Sequence, residues 1–347
     1  MREPPSREGA STRSGPDSAQ RAPDGARPAG RRARAARGQA KLLVRLSRFV
    51  ILYLLLRPVV LLPLGFQLAV GRALGRLAFR FAREPRRIVH CNLRACFPGL
   101  SAAELEDLER RHFEALGMSA IEMTFAWWAS QKRLSERVNC SGLEHYERGR
   151  AEGRHMLFVT AHFTTMEMCA IALSMKVADV YGVYRAYDKN PLADAIAREG
   201  RGRFARGLIE HRDVITMVRV LRDGYPLWFA SDQFVRPDKR SVIVPFFGVP
   251  CLVHGALLDL ARLGNACVML LLSLRLPDGS YHVRIEPPLE NFPSGDAKAD
   301  LTRLLALIED HVRKDPAQYM WVWRRFGRLP PEYPDIYRRS PEGGERR

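Results

Sequence analysis

The chain has 347 residues, a formal charge of +17, 46% apolar residues and six cysteines. That length suits one large domain with an accessory region, and the apolar content supports a real core. The charge calls for an anionic partner: nucleic acid, an anionic membrane or an acidic protein. The cysteines (Cys91, Cys96, Cys140, Cys169, Cys251, Cys267) form no C-x-x-C pair. This speaks against a zinc cluster or a disulfide framework and for reduced, mostly buried thiols on the cytoplasmic side.

Residues 1–40 carry nine Arg against four acids and almost no large apolar side chain. Such a segment buries too little surface to offset its ordering entropy and is expected to be a disordered, Arg-rich extension. It reads either as dispensable or as a polybasic arm for an anionic leaflet. Residues 41–80 follow as an anchor region. Leu42 to Val70 is the most apolar part of the chain, interrupted by Arg45, Arg48, Arg57, Pro58 and Pro63. The longest charge-free run, Pro58 to Gly71, is shorter than the roughly 18 residues of a clear transmembrane helix. The readings are an ordinary core helix, a kinked span or an interfacial anchor with Arg45, Arg48 and Arg72 reaching toward head groups. Basic residues before a span would leave the thiols outside the cytoplasm. A monotopic anchor is therefore the expectation.

Residues 81–337 read as the main domain and 338–347 as a loose tail. Ser101-x-x-Glu104 is a capping box opening a helix through about Gly117, and Met118 to Trp128 continues it. From about Asn139 strands and helices alternate. Strand His155–Ala161 leads to helix Thr165–Met175, and strand Val180–Arg185 to helix Pro191–Ala205. Helix Val214–Leu221 leads to strand Leu227–Ser231, and strand Val242–Phe247 to helix Leu252–Leu263. Strands Cys267–Leu276 and Tyr281–Pro287 and helix Lys298–Arg313 close the pattern. This alternation predicts an α/β fold with a mixed sheet flanked by helices, preceded by an apolar membrane-anchor helix.

His162 falls where a strand ends and a helix begins, the position at which α/β folds build sites. A neutral imidazole there can take a proton from a hydroxyl near neutral pH. Glu167, five residues on, can hold the other ring nitrogen. It can equally complete a Thr164-x-x-Glu167 capping box. The spacing alone is weak, because His254 and Asp259 repeat it. That second pair lies in what reads as one continuous helix, where five residues turn the side chains apart.

Arg185 ends the next strand and would lie near His162 if the two strands are neighbours. Asp232 ends a later strand at the same sheet edge, where it can orient His162, pair with Arg185 or cap a turn. Tyr319 to Phe326 is an aromatic run holding Arg324 and Arg325, a candidate phosphate or head-group contact. No Gly-rich phosphate loop, G-x-S-x-G elbow or metal-ligand spacing is present, so no cofactor and no metal are expected.

These pieces, taken in order, resemble a known family. They are Asn92-Leu93 with Cys96-Phe97-Pro98, His162-Phe163 with Glu167, and Gly182-Val183-Tyr184-Arg185 with Asn190-Pro191-Leu192. Asp232-Gln233, Val244-Pro245-Phe246-Phe247-Gly248, and Gln318-Tyr319-Met320-Trp321 with Arg324-Arg325-Phe326 complete the set. Over roughly residues 42–337 the chain resembles the bacterial lipid A biosynthesis acyltransferases, the late lauroyl/myristoyl transferases. The resemblance implies a glycerolipid acyltransferase-like fold and an enzyme at the cytoplasmic face of the inner membrane. It would move an acyl chain from acyl carrier protein to a hydroxyl of an acyl chain on a lipid A precursor.

In this reading His162 is the catalytic base, Glu167 its acidic partner, and Arg185, Asp232, Arg324 and Arg325 contact substrate. Backbone N–H groups at Thr164 and Thr165 would stabilise the oxyanion. Thr164-Thr165-Met166 departs from the Gly-Asn-Trp of many members. An acidic carrier protein, a phosphorylated lipid and an anionic membrane surface all suit the charge, and nucleic acid is not among the expected partners. Two alternatives stand beside it: the same chemistry on another phospholipid, glycolipid or amino-acid lipid, and a non-catalytic basic protein binding membrane or nucleic acid.

Overall fold

The computed structural model describes residues 54, 57–188, 190–232 and 237–338. The Arg-rich extension, the apolar run up to Tyr53, Gln233 and the tail beyond residue 338 lie outside them. A short 3₁₀ turn, Arg57–Leu61, precedes helix α1, Leu64–Phe81. No described helix is long and apolar enough to cross a membrane.

Helix α2 (Arg83–Cys96) buries Val89, Asn92, Leu93 and Cys96 on one face. Helix α3 runs from Ala102 to Trp128, and its start is the capping box read from the sequence. Ser101 Oγ accepts from the Glu104 amide at 3.3 Å while Glu104 Oε2 accepts from the Ser101 amide at 2.8 Å. Helices α1 and α3 cross at backbone contact distance. A Cβ on Gly117 would sit 2.1 Å from the Gly71 carbonyl, and one on Gly75 would sit 2.2 Å from the Phe113 carbonyl. Only glycine permits that approach.

After the short helix α4 (Gln131–Ser135) come strand β1 (Val138–Ser141), helix α5 (Leu143–Ala151), strand β2 (His155–Thr160) and helix α6 (Met166–Lys176). Strand β3 (Tyr181–Tyr184), helix α7 (Pro191–Gly202), strand β4 (Gly207–Glu210), helix α8 (Val214–Arg222) and strand β5 (Leu227–Ala230) follow. Strands β6 (Ser241–Phe246) and β7 (Val249–His254), helix α9 (Ala256–Gly264), strands β8 (Ala266–Arg275) and β9 (Tyr281–Pro288) and helix α10 (Ala297–Val312) complete the order.

Seven strands form one sheet in the order β1-β9-β8-β2-β5-β3-β4. All neighbours are parallel except β8 and β9, so the sheet is mixed, as the alternation predicted. Strand β2 is central, and Met156, Leu157, Phe158 and Val159 are each at most 2% exposed. Helices cover both faces there, which is why the strand reads as an unbroken apolar run.

Two predicted segments fold differently. The helix expected from Leu252 is a strand until His254, because β6 and β7 form a separate antiparallel hairpin. Its two-residue turn places Phe247 at φ 53° and Gly248 at φ 74°, the twist hairpins favour. His254 therefore does not share a helix with Asp259; it pairs with Asp238 at 3.0 Å. Strands β1 and β4 are absent from the sequence pattern. Each is four residues at an outer edge of the sheet, too short for a periodic signal.

Candidate active site

Strand β2 delivers His162 two residues past its carboxyl end, and α6 begins four residues later. The Asp232 carboxylate, two residues past the end of neighbouring β5, reaches across to it. His162 Nδ1 lies 2.6 Å from Asp232 Oδ1, and the His162 amide donates to the same oxygen at 2.9 Å. Asp232 Oδ2 accepts from the Tyr319 hydroxyl at 2.8 Å. Burial pushes the Asp232 carboxyl up, but His162, Arg325 and Tyr319 outweigh it and leave the carboxyl below its usual range. Asp232 is thus an ionised acceptor on Nδ1, which leaves Nε2 as the ring nitrogen able to take a proton. The Trp323 ring, 36% exposed, stands edge-to-face on the imidazole with centroids 4.9 Å apart.

The chain's C-terminal stretch builds the floor. Thr164 N–H donates to the Gln318 carbonyl at 2.8 Å and Met320 N–H to the His162 carbonyl at 3.0 Å, which staples residues 318–320 to 162–164. Asn92 Nδ2 donates to the Trp321 and Trp323 carbonyls at 2.7 and 2.8 Å, pinning the segment from below. His112 Nδ1 meets the Ala317 carbonyl at 2.9 Å and His311 Nε2 the Ser273 carbonyl at 3.0 Å. Thr165 Oγ1 and Ser273 Oγ share a hydrogen bond of 2.8 Å.

The arrangement suits general-base chemistry: an imidazole fixed by an ionised acid at one nitrogen, with no hydrogen bond at the other among the described residues. The buried thiols do not suit nucleophilic roles. Burial pushes Cys169 up to about 12 and raises Cys96 and Cys251 as well. Among the described residues no cluster of His, Cys, Asp and Glu is arranged to hold a metal ion. A cavity of about 860 Å³ opens elsewhere, at the amino ends of β2 and β8, beside Arg154, Arg262, Ala266 and Cys267.

Residues 38–328 match the family described as bacterial lipid A biosynthesis acyltransferase. The chain belongs to the bacterial lipid A biosynthesis acyltransferases. It is 34% identical to a lipid A biosynthesis lauroyltransferase of Escherichia coli K12 over 80% of this chain and 91% of the relative. It is 31% identical to a lipid A biosynthesis acyltransferase of Haemophilus influenzae over 81% and 91%. A lipid A biosynthesis myristoyltransferase of E. coli K12 is 25% identical over 76% and 82%. The protein is accordingly an O-acyltransferase.

In this acyltransferase several anticipated residues stand elsewhere than expected. Glu167 makes no hydrogen bond to His162 among the described contacts. Its carboxylate takes Arg201 Nε at 3.1 Å on each oxygen and Trp127 Nε1 at 2.8 Å. The ring nitrogen offered to Glu167 is held by Asp232 instead, because β5 is the strand beside β2. Nor is there a Thr164 capping box: Thr165 is the N-cap and makes no side-chain cap bond.

The Thr164 amide is committed to Gln318, so it is not available to an oxyanion; Thr165 keeps its place at the helix start. Arg185 is exposed at the carboxyl end of β3, but β5 separates β3 from β2, so the assumed strand adjacency is absent. Arg324 is half-exposed and pairs with Glu84 at 2.9 Å. Arg325 is not a surface contact. It is 7% exposed, stacks 4.3 Å from the Phe246 ring and donates through Nη1 to the Asp232 carbonyl. In the sequence Tyr319 stands out only as the start of an aromatic run, and Arg201 is not singled out at all. An aromatic run and a solvated helix end hide both until the sheet order is known.

Proposed function

We propose that this acyltransferase moves a fatty acyl group from an acyl carrier protein thioester to a hydroxyl on an acyl chain of a lipid A precursor. Family membership and relatives described as lipid A lauroyl- and myristoyltransferases support the acceptor class. The observation that carries the mechanism is His162, whose Nδ1 is engaged by the ionised Asp232.

His162 Nε2 takes the proton of the acceptor hydroxyl as its oxygen attacks the thioester carbonyl. The tetrahedral oxyanion sits at the start of α6, where the Thr165 amide and the helix dipole favour negative charge. The carbon–sulfur bond then breaks, and the thiol leaves with the proton returned from the imidazolium. Asp232 holds the imidazolium during that interval, and Glu167 fixes the start of α6 through Arg201. Arg185 and Arg324 are cations exposed enough to meet phosphate on the acceptor or carboxylates on the carrier.

The same reading places the enzyme on the cytoplasmic face of the inner membrane. Its support is an apolar stripe on α1 that no described residue covers, with Arg72, Arg76 and Arg80 on the same helix.

The test uses the full chain purified in detergent with acyl carrier protein thioester and lipid A precursor. Acyl transfer is expected, and His162→Ala is expected to lower it about 10²–10⁴-fold. Near-normal activity of that variant would refute the assigned base. Mass spectrometry of lipids from a deletion strain checks the acceptor: lipid A is expected to lack one acyl chain. An unchanged lipid A with another lipid altered transfers the same chemistry to that lipid.

A further inference from the structure

We propose that Tyr319 is a positioning residue that sets the charge and orientation of Asp232, and through it the readiness of His162 to release its proton. The inference rests on the general-base reading above. Both oxygens of Asp232 are occupied, Oδ1 by the ring and amide of His162 at 2.6 and 2.9 Å and Oδ2 by the Tyr319 hydroxyl at 2.8 Å. The carboxylate cannot turn without losing one of them.

The donor itself is held rigidly. Tyr319 is 2% exposed and bridged to Phe163 as an isolated antiparallel pair. Its ring lies among Phe163, Phe246 and Trp321, with centroids 5.8, 5.4 and 4.7 Å away. Burial first, and the Asp232 charge with it, keep the phenol far above its ordinary pKa despite Arg325, so it donates throughout the working range.

The charged and titratable groups facing this relay are few among the described residues. Arg325, from the segment after Tyr319, places its guanidinium 5.9 Å from the Tyr319 ring and bonds the Asp232 carbonyl. Cys251, on β7, interacts with Asp232, Tyr319 and Arg325, and Cys96, on α2, interacts with Arg325; burial raises both thiols, which keeps them neutral. Arg325 Nε and Nη2 are buried with no hydrogen-bond acceptor among the described residues. The relay therefore consists of one carboxylate between a permanent cation, a phenol donor and the imidazole.

A hydrogen bond donated to Asp232 draws off part of its negative charge. A carboxylate so tempered holds the imidazolium firmly enough to form it and loosely enough to give the proton to the leaving thiol. Removing the phenol concentrates charge on the oxygens facing His162 and traps the proton there.

The test is Tyr319→Phe in the full chain, read against pH with both substrates. The acidic limb of kcat/KM is expected to move up by about one pH unit, and kcat to fall about tenfold, as for a lost bond to a charged group. KM for donor and acceptor is expected to stay within about twofold, since the phenol is buried and spends its hydrogen bond on Asp232.

A second variant guards against misfolding. Tyr319 replaced by 3-fluorotyrosine keeps the size and donates more strongly, so the limb is expected to move down instead. Opposite movements in the two variants support the proposal. A lower melting temperature with an unmoved limb in both means that Tyr319 only packs, and overturns it. If His162→Ala retains its rate, the base assignment fails and the relay falls with it. If His162→Ala is inactive while both Tyr319 variants keep the wild-type profile, the relay alone is refuted.

Discussion

Glu167 and Arg201 form a two-armed ion pair, with Arg201 Nε 3.1 Å from each carboxylate oxygen and both side chains less than one-fifth exposed. Trp127 Nε1 closes the third side at 2.8 Å. The Trp127 ring is itself seated against Gly200, where any Cβ would come within 2.3 Å. One carboxylate thus ties the start of α6 to the ends of α3 and α7.

This geometry separates two roles for Glu167. Glu167→Gln keeps a partner for the indole but leaves Arg201 as an uncompensated, largely buried cation. A loss of about 3 kcal/mol in stability is expected. If Glu167 acts by placing the helix start, Arg201→Gln lowers the transfer rate about as much as Glu167→Gln, and the double variant is no worse than either. A double-mutant cycle in melting temperature and rate checks this. Full activity of Arg201→Gln beside an inactive, folded Glu167→Gln would return Glu167 to the proton path.

Much of this was legible in the sequence, and the failures have physical causes. The buried run at 156–159, the Ser101/Glu104 cap and the long amphipathic α10 carry local signals that survive folding. The place of His162 was legible because a strand-to-helix junction is local too, and the structure has it there. Asp232 stood among three options, to orient His162, to pair with Arg185 or to cap a turn, because the choice depends on which strand lies beside β2. Five residues of spacing suggested Glu167, while Asp232 comes from a separation of 70 residues. Arg185 was misplaced for the same reason: sequence order suggested β3 as the neighbour, and the crossover inserts β5. The β6–β7 hairpin escaped because its turn uses Phe247 in a left-handed conformation that glycine or asparagine normally signals.

Acid is expected to loosen the floor of the site before the sheet unfolds. Burial depresses both His112 and His311 from 6.5 to about 4, and each is neutral in the native protein near pH 7. The unfolded chain takes up these protons near pH 6.5 while the folded chain resists until about pH 4. Stability is therefore full above the unfolded value and falls as pH drops through that window, by on the order of 3 kcal/mol per histidine. His112 holds the Ala317 carbonyl, just ahead of Tyr319. Melting temperatures measured from pH 7.5 to 4.5 are expected to decline steeply, and His112→Gln to flatten the slope while lowering its plateau. An unchanged slope in that variant would remove His112 from the acid response.

The crossing of α1 on α3 predicts a sharp penalty for the smallest substitution. At Gly117 an added methyl meets Gly71 and Gly75 backbone atoms at 2.1–2.7 Å, and backbone cannot swing aside as a side chain can. Gly117→Ala is expected to cost about 2–4 kcal/mol, the upper range for overpacking, although alanine is the better helix former. Gly65, on the same α1 helix but with nothing within 4 Å of its virtual Cβ, is the control: Gly65→Ala is expected to be neutral or mildly stabilising. Chemical denaturation of the two variants, side by side, decides.

The face of α1 turned away from α3 carries Phe66, Val70, Leu74, Leu77 and Phe81, each at least 37% exposed and spaced by four or three residues. The opposite face buries Leu64, Gln67, Leu68, Gly71 and Gly75. A stripe of this length, left in water, exposes several large side chains worth about 1.5–3 kcal/mol each when covered. Arg72 and Arg76 are tied to Glu114 at 3.9 and 2.8 Å, so the helix is braced against the body of the enzyme while its apolar side is uncovered among the described residues. Leu74→Asp with Leu77→Asp is expected to leave the melting temperature in detergent unchanged, since neither side chain packs inward. Sedimentation with anionic phospholipid vesicles is expected to weaken at least tenfold, and activity on vesicle-borne acceptor to fall with it. Unaltered vesicle binding by a folded double variant would show that this face meets something other than lipid.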